Sequence, residues 1–186
     1  MSTAVYQEWP DRMTVEEYLA LEERGEERHE YFAGYIVAMA GASRQHEEIS
    51  LALAAAFHVH LRGSACRPYK GDVKLKTSFR GEDMFYYPDI MVACDPADDH
   101  PVYVERPKLI VEVSSKDWER NYVAKFTAYT RIPSLEEYAI VWSEKNRPLV
   151  SLFRRRHGWE PPAEHRTGEF TLESIGLTLT VESLYP

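Results

Sequence analysis

The sequence contains few of the residues that stabilise small secreted proteins or span membranes. Its only two cysteines, Cys66 and Cys94, have the spacing of neither a disulfide framework nor a zinc knuckle, so we expect two free, buried thiols. No apolar run approaches the roughly 18 residues that a membrane span needs, and the N-terminal segment lacks a basic stretch followed by an apolar one. We therefore expect a soluble, cytoplasmic protein with no membrane partner.

Basic residues are also scarce relative to acidic ones. The chain carries 22 lysines and arginines against 30 aspartates and glutamates, which gives a net charge of −8. This balance argues against a broad surface for polyanions and still permits a local basic groove. With 186 residues, of which 44% are hydrophobic, the chain can bury one core and is short for two. We predict a single domain over residues 1–186, with residues 1–12 as an N-terminal arm.

The hydrophobic pattern predicts helices and strands that follow one another along the chain. Thr14 and Glu17 have the spacing of a capping box and predict a helix to about Arg24. Ser43 is a good N-cap for a second helix, predicted over residues 45–61. The remaining predictions are a hairpin over 29–39 with its turn at 33–34, strands over 66–69, 72–79, 137–142 and 149–153, a turn at 80–83, and short strands in the C-terminal tail. This order predicts an α/β or α+β fold in which helices flank a mixed central sheet, with an N-terminal helix and β-hairpin.

One stretch, residues 86–129, holds the residues whose order indicates chemistry. Residues 86–94 are rich in β-branched and apolar residues and predict a strand that Pro88 and Asp89 interrupt early. Residues 109–113 are apolar on both faces, as in a strand buried between two layers, except for Glu112. A carboxylate in such a strand needs a cation or hydrogen-bond donors to offset its desolvation.

A helix is predicted to follow this strand and to carry a lysine towards it. Asp117 is a plausible N-cap, and the apolar residues of the helix are Trp118, Tyr122, Phe126 and Tyr129. Lys125 flanks this apolar row and can reach the end of the sheet. Two carboxylates, Asp89 and Glu112, with Lys125 beside them would suit Mg²⁺ or Mn²⁺ and the hydrolysis of a phosphodiester. The alternative is that each is structural: a turn aspartate, a paired glutamate and a lysine that extends to solvent.

The same residues carry a resemblance to a known family. A Pro-Asp pair, a glutamate on the next apolar strand and a lysine on the following helix resemble the PD-(D/E)XK nuclease superfamily. The ordered set MTVEEYLALEE, HEYFAGYIVAMAGASRQHEEIS, YYPDIMVACD, RPKLIVEVSS and KFTAYTRIPSLEEYAIV is similar to the Uma family of restriction endonucleases. The resemblance implies a restriction-endonuclease-like core, with Asp89, Glu112 and the backbone carbonyl of Val113 as metal ligands and Lys125 as phosphate stabiliser. The sequence departs from these patterns at Ser114, where the superfamily has lysine, and at Asn121, where the family has aspartate.

Several further residues have more than one interpretation. The resembled family has glutamate and histidine at Glu30 and His46. Glu30 is either a third metal-binding carboxylate or a hydrogen-bonded strand residue. His46 is either a structural donor in the first turn of its helix, which is favoured, or a base. Two groups of basic residues could contact phosphate but fit an ordinary solvated surface as well. One consists of Lys70, Lys74 and Lys76, and the other of residues 154–157. His58 and His60 are two residues apart on a predicted helix and cannot bind one metal ion together.

The function predicted from these residues is a Mg²⁺-dependent nuclease that acts on DNA. Asp89, Glu112 and Lys125 are its predicted catalytic residues, and a homodimer is expected because cutting both strands of a duplex favours two sites related by two-fold symmetry. One alternative is an inactive nucleic-acid-binding, protein-binding or oligomerising module that retains the fold. Another is hydrolysis of RNA or a nucleotide, which the sequence does not distinguish from hydrolysis of DNA.

Overall fold

The structure is a computed structural model that describes residues 12–25, 27–39, 41–114 and 119–185. Three α-helices lie in this part of the chain: α1 Val15–Arg24, α2 Arg44–His60 and α3 Glu119–Tyr129. The strands described there are β1 His29–Phe32, β2 Tyr35–Ala38, β3 Arg67–Lys70, β4 Lys74–Phe79, β5 Glu82–Tyr86, β6 Ile90–Ala93, β7 Tyr103–Val104, β8 Pro107–Ser114, β9 Glu137–Trp142, β10 Val150–Arg154, β11 Ala163–His165, β12 Glu169–Leu172 and β13 Leu177–Thr180.

The helix starts and the hairpin follow from local sequence signals, as predicted. Thr14 and Glu17 form the reciprocal hydrogen bonds of a capping box at the start of α1. The Ser43 side chain accepts a hydrogen bond from the backbone N–H of His46 and so caps α2. The β1–β2 hairpin turns at Ala33 and Gly34, where both residues adopt positive φ.

A six-stranded mixed sheet in the order β11-β10-β9-β8-β6-β3 forms the centre of the molecule. Strands β8 and β9 are parallel, whereas the other neighbours in this sheet are antiparallel. Helix α2 packs on one face through the row Ile49, Leu53 and Phe57, together with the β12–β13 hairpin. Helix α3 packs on the opposite face through Ala128 and Tyr129. The predicted fold, helices flanking a mixed sheet, is therefore confirmed.

A second, five-stranded sheet in the order β2-β1-β5-β4-β7 lies on the α3 side of the first. Leu75 and Tyr86 of this sheet share a core with Met91 and Ile110 of the six-stranded sheet. Helix α1 packs on the second sheet through Tyr18 and its neighbours. Phe32 of the β1 strand packs against the core that the second sheet shares with α3 and the six-stranded sheet.

The strand predicted over residues 86–94 is found only in part, because the interruption predicted at Pro88 and Asp89 separates two strands of different sheets. Strand β5 ends at Tyr86 and belongs to the five-stranded sheet, whereas β6 begins at Ile90 and belongs to the six-stranded sheet. Pro88 lies in the connection, where its missing N–H breaks no ladder hydrogen bond. The predicted turn at 80–83 is also shorter, because Glu82 and Asp83 pair within β5.

The prediction of two free, buried cysteines is wrong. Cys66 and Cys94 form a disulfide and are partly buried. Strands β3 and β6 are antiparallel with Arg67 opposite Ala93, so the flanking cysteines meet across the strand pair. The two residues lie 28 apart in sequence, and only the strand register brings them together.

Some predicted features lie outside the described residues. They are residues 1–11 of the arm, Asp117 with Trp118, and the side chains of Asn121 and Tyr122. Among the described residues, no helix is long and apolar enough to cross a membrane.

Candidate active site

Glu112 is a buried carboxylate near the end of β8. Side chains alternate along a strand, so Glu112 lies on the same face as Ile110, which packs on the α3 side. The side chain of Glu112 is 8% exposed. A carboxylate at this depth requires partners, and the partners define the site.

Asp89 lies one residue before β6, beside the segment that carries Glu112. Strand β6 pairs antiparallel with β8, with Ile90 opposite Val111. One carboxylate oxygen of Asp89, Oδ2, accepts a hydrogen bond of 2.7 Å from the backbone N–H of Val113. The N–H and C=O of one strand residue face the same neighbouring strand, so the Val113 carbonyl also points towards the Asp89 side. Asp89, Glu112 and Val113 thus come together at one edge of the two strands.

Helix α3 supplies two donors to Glu112. The Nζ of Lys125 lies 3.0 Å from Oε1 of Glu112, and the hydroxyl of Tyr129 donates to the same oxygen at 2.9 Å. Residues four apart on a helix share a face, which explains why both side chains reach one carboxylate. Tyr129 is fully buried, whereas 16% of the Lys125 side chain is exposed. The lysine therefore lies at the boundary between the core and the solvent.

Glu30 of the β1 strand forms the second ion pair of Lys125. Its Oε1 lies 3.2 Å from Nζ of the lysine, and 16% of its side chain is exposed. Lys125 is thus placed between two glutamates from different sheets. The structure shows Glu30 as a partner of Lys125, and a role in metal binding stays a prediction.

His46, in the first turn of α2, contacts Asp89 from the other side. Its Nε2 lies 3.0 Å from Oδ1 of Asp89, so the aspartate has a partner on each oxygen. The hydrogen bond to Asp89 is the main cause that raises the pKa of His46 above its usual value. Ser43 positions this ring indirectly, because its cap sets the start of the helix.

The site contains more carboxylates than cations. Burial raises the pKa of Glu112 to about 7; Asp89 and Glu30 act in the same direction, and Lys125 acts against it. For Lys125, burial lowers the pKa, but the attraction of Glu112 and Glu30 outweighs burial and raises it. Three carboxylates share one lysine and one histidine, which is an arrangement that favours a further cation.

A divalent cation fits the donor atoms of this site. The oxygens of Asp89 and Glu112 and the carbonyl of Val113 are hard ligands, which Mg²⁺ and Mn²⁺ prefer. In the part of the chain that the structure describes, no group of three or more histidine, cysteine, aspartate or glutamate side chains could hold a metal ion. The remaining ligands would therefore be water or substrate, as is common for Mg²⁺.

The structure brings together every residue that the sequence marked for this site: Asp89, Glu112, Val113, Lys125 and Glu30. Two further residues, His46 and Tyr129, contact the site. From the sequence, a structural role was favoured for His46, and Tyr129 was interpreted as a core residue of its helix. The available signal for His46 was its place in the first helical turn, three residues after Ser43. For Tyr129 it was the spacing of four residues from Lys125.

The lysines that could contact phosphate have partners of their own. Lys70 lies opposite Ile90, the residue after Asp89, and so borders the site. Lys70 pairs with Glu47, Lys76 lies 3.3 Å from Glu105, and Lys74 is buried over the ring of Tyr87.

The three arginines at the end of β10 and directly after it each contact another part of the fold. Arg154 pairs with Glu137, Arg155 donates to the carbonyls of Leu135 and Ile132, and Arg156 pairs with Glu173. These contacts link the end of β10 to neighbouring parts of the fold. His58 and His60 are both exposed, and His60 contacts the carbonyl of Ile175.

Comparison with known proteins gives one family match and two relatives. The sequence model of a family described as "Uma2: Putative restriction endonuclease" matches residues 15–182. "Uncharacterized protein slr1290" of Synechocystis sp. is 34% identical over 178 residues, which cover 94% of this chain and 92% of that protein. "Uncharacterized protein sll1609" of the same organism is 30% identical over 135 residues, covering 69% and 74%.

A crystal structure with a similar fold is described as a "putative nuclease belonging to DUF820" from Anabaena variabilis. It aligns with a TM-score of 0.70 and 16% sequence identity, over 92% of this chain and 97% of that chain. At this identity the likeness establishes the fold alone.

Proposed function

This chain belongs to the Uma2 family, and from that membership and the site geometry we propose that it is a nuclease that hydrolyses phosphodiester bonds in DNA with Mg²⁺ or Mn²⁺. One observation carries the proposal: the carboxylate of Asp89 is fixed on the N–H of Val113, immediately beside the buried Glu112. Carboxylates on neighbouring strands repel each other and destabilise a sheet. A divalent cation bound between them would offset this repulsion.

Asp89, Glu112 and the Val113 carbonyl would hold the cation. When bound, it would polarise the phosphate and lower the pKa of a water molecule. Lys125 would stabilise the negative charge that develops on the phosphate, because its ammonium group lies at the edge of the same site. Glu30 keeps this ammonium in place on its other side.

His46 and Tyr129 are positioning residues in this proposal. His46 holds one oxygen of Asp89, and Tyr129 holds one oxygen of Glu112. Both contacts restrict the rotamers of the carboxylates before substrate arrives. Such preorganisation is what separates a working metal site from one whose ligands are present but loosely held.

Calorimetry with Mn²⁺ tests the site without a choice of substrate. We expect saturable binding to the wild type, loss of that binding in Asp89→Asn, and unchanged binding in Asp99→Asn, a matched change in the exposed β6–β7 loop. The titration is repeated with a short DNA duplex present, because substrate phosphate can supply ligands that the protein does not. Binding that survives Asp89→Asn would contradict the proposed site.

Cleavage assays test the reaction and its substrate. Plasmid DNA, linear duplex DNA and RNA are incubated with wild type, Asp89→Asn and Asp99→Asn, with Mg²⁺ or with EDTA. The proposal requires DNA cleavage that depends on the metal and on Asp89 but not on Asp99. Cleavage of RNA alone would replace DNA as the substrate. Metal binding without cleavage of any of these substrates would favour a binding module that retains the nuclease fold.

A further inference from the structure

The outward face of α2 carries an apolar row that no described part of the chain covers. Leu51, Ala55 and Val59 are spaced four residues apart and lie on the side of the helix opposite the row that packs on the sheet. Leu51 is 65% exposed and Val59 is 67% exposed, and Ala55 is exposed as well. Single exposed apolar residues are ordinary, whereas an apolar row along about two turns of one helix is a candidate contact surface.

Charged residues of opposite sign lie at the two ends of this row. Glu48 precedes Leu51 on the same face of α2, and Arg62 follows Val59 just past the end of the helix. Both side chains are exposed. Along the helix, this surface therefore presents an acidic residue, an apolar residue, the small Ala55, a second apolar residue and a basic residue. If a second copy of the helix lies antiparallel with the two Ala55 residues opposite each other, acidic residues face basic ones and apolar residues face apolar ones.

We propose that this face of α2 binds a second copy of this chain in an antiparallel helix pair centred on Ala55. In that arrangement Leu51 of each copy packs on Val59 of the other, and Glu48 of each copy pairs with Arg62 of the other. The small Ala55 at the centre lets the two backbones approach closely. A two-fold interface requires self-complementarity of this kind, which an unrelated partner would not require.

The pairing would relate two sites without burying either one. His46 lies on the same helix, nine residues before Ala55, which is about 14 Å along the axis at the usual rise of an α-helix. The ring of His46 points to the core side of α2, and the proposed contact lies on the outer side. The dimer and the proposed nuclease activity are therefore separable. The contact is short, so we expect assembly at micromolar concentrations.

Sedimentation velocity over a range of micromolar concentrations tests this interface. We expect a monomer–dimer equilibrium for the wild type and a dimer dissociation constant at least about tenfold weaker for Leu51→Glu. The matched control is Val123→Glu, because Val123 is an exposed apolar residue of α3 with 66% exposure. Circular dichroism verifies that both variants remain folded. A monomeric wild type, or equal weakening by both changes, would overturn the proposal.

A charge exchange tests the antiparallel register. Glu48→Arg alone and Arg62→Glu alone each place like charges opposite each other and should weaken the dimer. The double variant Glu48→Arg with Arg62→Glu should recover most of the loss, because each copy again presents opposite charges to the other. If the double variant is as weak as the sum of the single changes, the dimer does not form in this register.

Discussion

Two buried glutamates on neighbouring parallel strands, Glu112 and Glu137, have opposite surroundings. Glu137 begins β9 and lies opposite Leu109, whereas Glu112 lies near the end of β8. The carboxylate of Glu137 accepts hydrogen bonds from Nε of Arg154 at 2.9 Å and from the N–H and hydroxyl of Ser174 at 3.1 and 3.0 Å. Glu112 has a lysine that it shares with Glu30, and a second carboxylate, Asp89, beside it.

The difference in partners distinguishes a carboxylate that links parts of the fold from one that could bind a metal ion. Glu137 joins β9 to β10 and to the turn between β12 and β13 through Arg154, which also lies 3.5 Å from Glu173, and through two donors of Ser174. Glu112 lies beside two further carboxylates, Asp89 and Glu30, and burial raises its pKa to about 7. Burial alone therefore does not identify a functional carboxylate. The informative feature is how completely its charge is neutralised by the protein itself.

The largest expected effect is on activity. We expect Glu112→Gln to reduce DNA cleavage by about a thousandfold or more, because the variant loses a charged metal ligand. Glu137→Gln should leave the rate per folded molecule within about twofold, since this side chain does not contact the site. The measurement is the initial rate of plasmid nicking, corrected for the folded fraction. Equal losses in both variants would remove the distinction.

The second expected effect is on stability, and here the change at Glu137 should cost more than the change at Glu112. Glu137→Ala should cost about 3–5 kcal/mol, because the largely buried Arg154 loses its main partner and Ser174 loses an acceptor. Glu112→Gln should cost about 1 kcal/mol or less, because the amide oxygen can still accept from Lys125 and Tyr129. Urea denaturation in EDTA measures both. A larger loss for Glu112→Gln would show that Glu112 is mainly structural.

The third effect is a pH dependence that belongs to Glu112. Its pKa is about 7 in the folded protein, against a reference of 4.5, so the folded state binds the proton more tightly. The contribution of Glu112 to the free energy of unfolding is therefore fully present below about pH 4.5 and is lost as the pH rises through about 7. We expect Glu112→Gln to show a flatter stability profile than the wild type between these values. Parallel profiles in EDTA would contradict the raised pKa.

The smallest effect concerns the hydroxyl that positions Glu112. Tyr129→Phe should reduce stability by about 1 kcal/mol and activity by roughly tenfold, because one oxygen of Glu112 loses a donor of known geometry. Tyr18→Phe is the matched control, since it removes a buried hydroxyl that donates to the carbonyl of His29 instead. The control should lose similar stability and keep its activity. If both variants lose activity alike, Tyr129 supports the fold only.

The sequence predicted most helices and strands because these depend on local signals. Caps, turn residues and apolar periodicity act within a few positions, so α1, the hairpin, α2 and β9 are found close to their predicted bounds. The chemical anomaly of Glu112 was also visible, because a charge within an apolar strand contrasts with its immediate neighbours. These features were determined by the amino-acid sequence alone.

The tertiary structure decided which side chains meet. The contacts of Glu30 with Lys125 and of His46 with Asp89 join residues from β1, α2 and α3 that no local pattern pairs. The Cys66–Cys94 disulfide likewise depends on the register between β3 and β6. The chain passes from the five-stranded sheet to the six-stranded sheet after Tyr86, and Pro88 and Asp89 lie in the connection between the two strands. Such contacts arise from packing over long sequence separations, where only the register and the layering of the sheets decide the outcome.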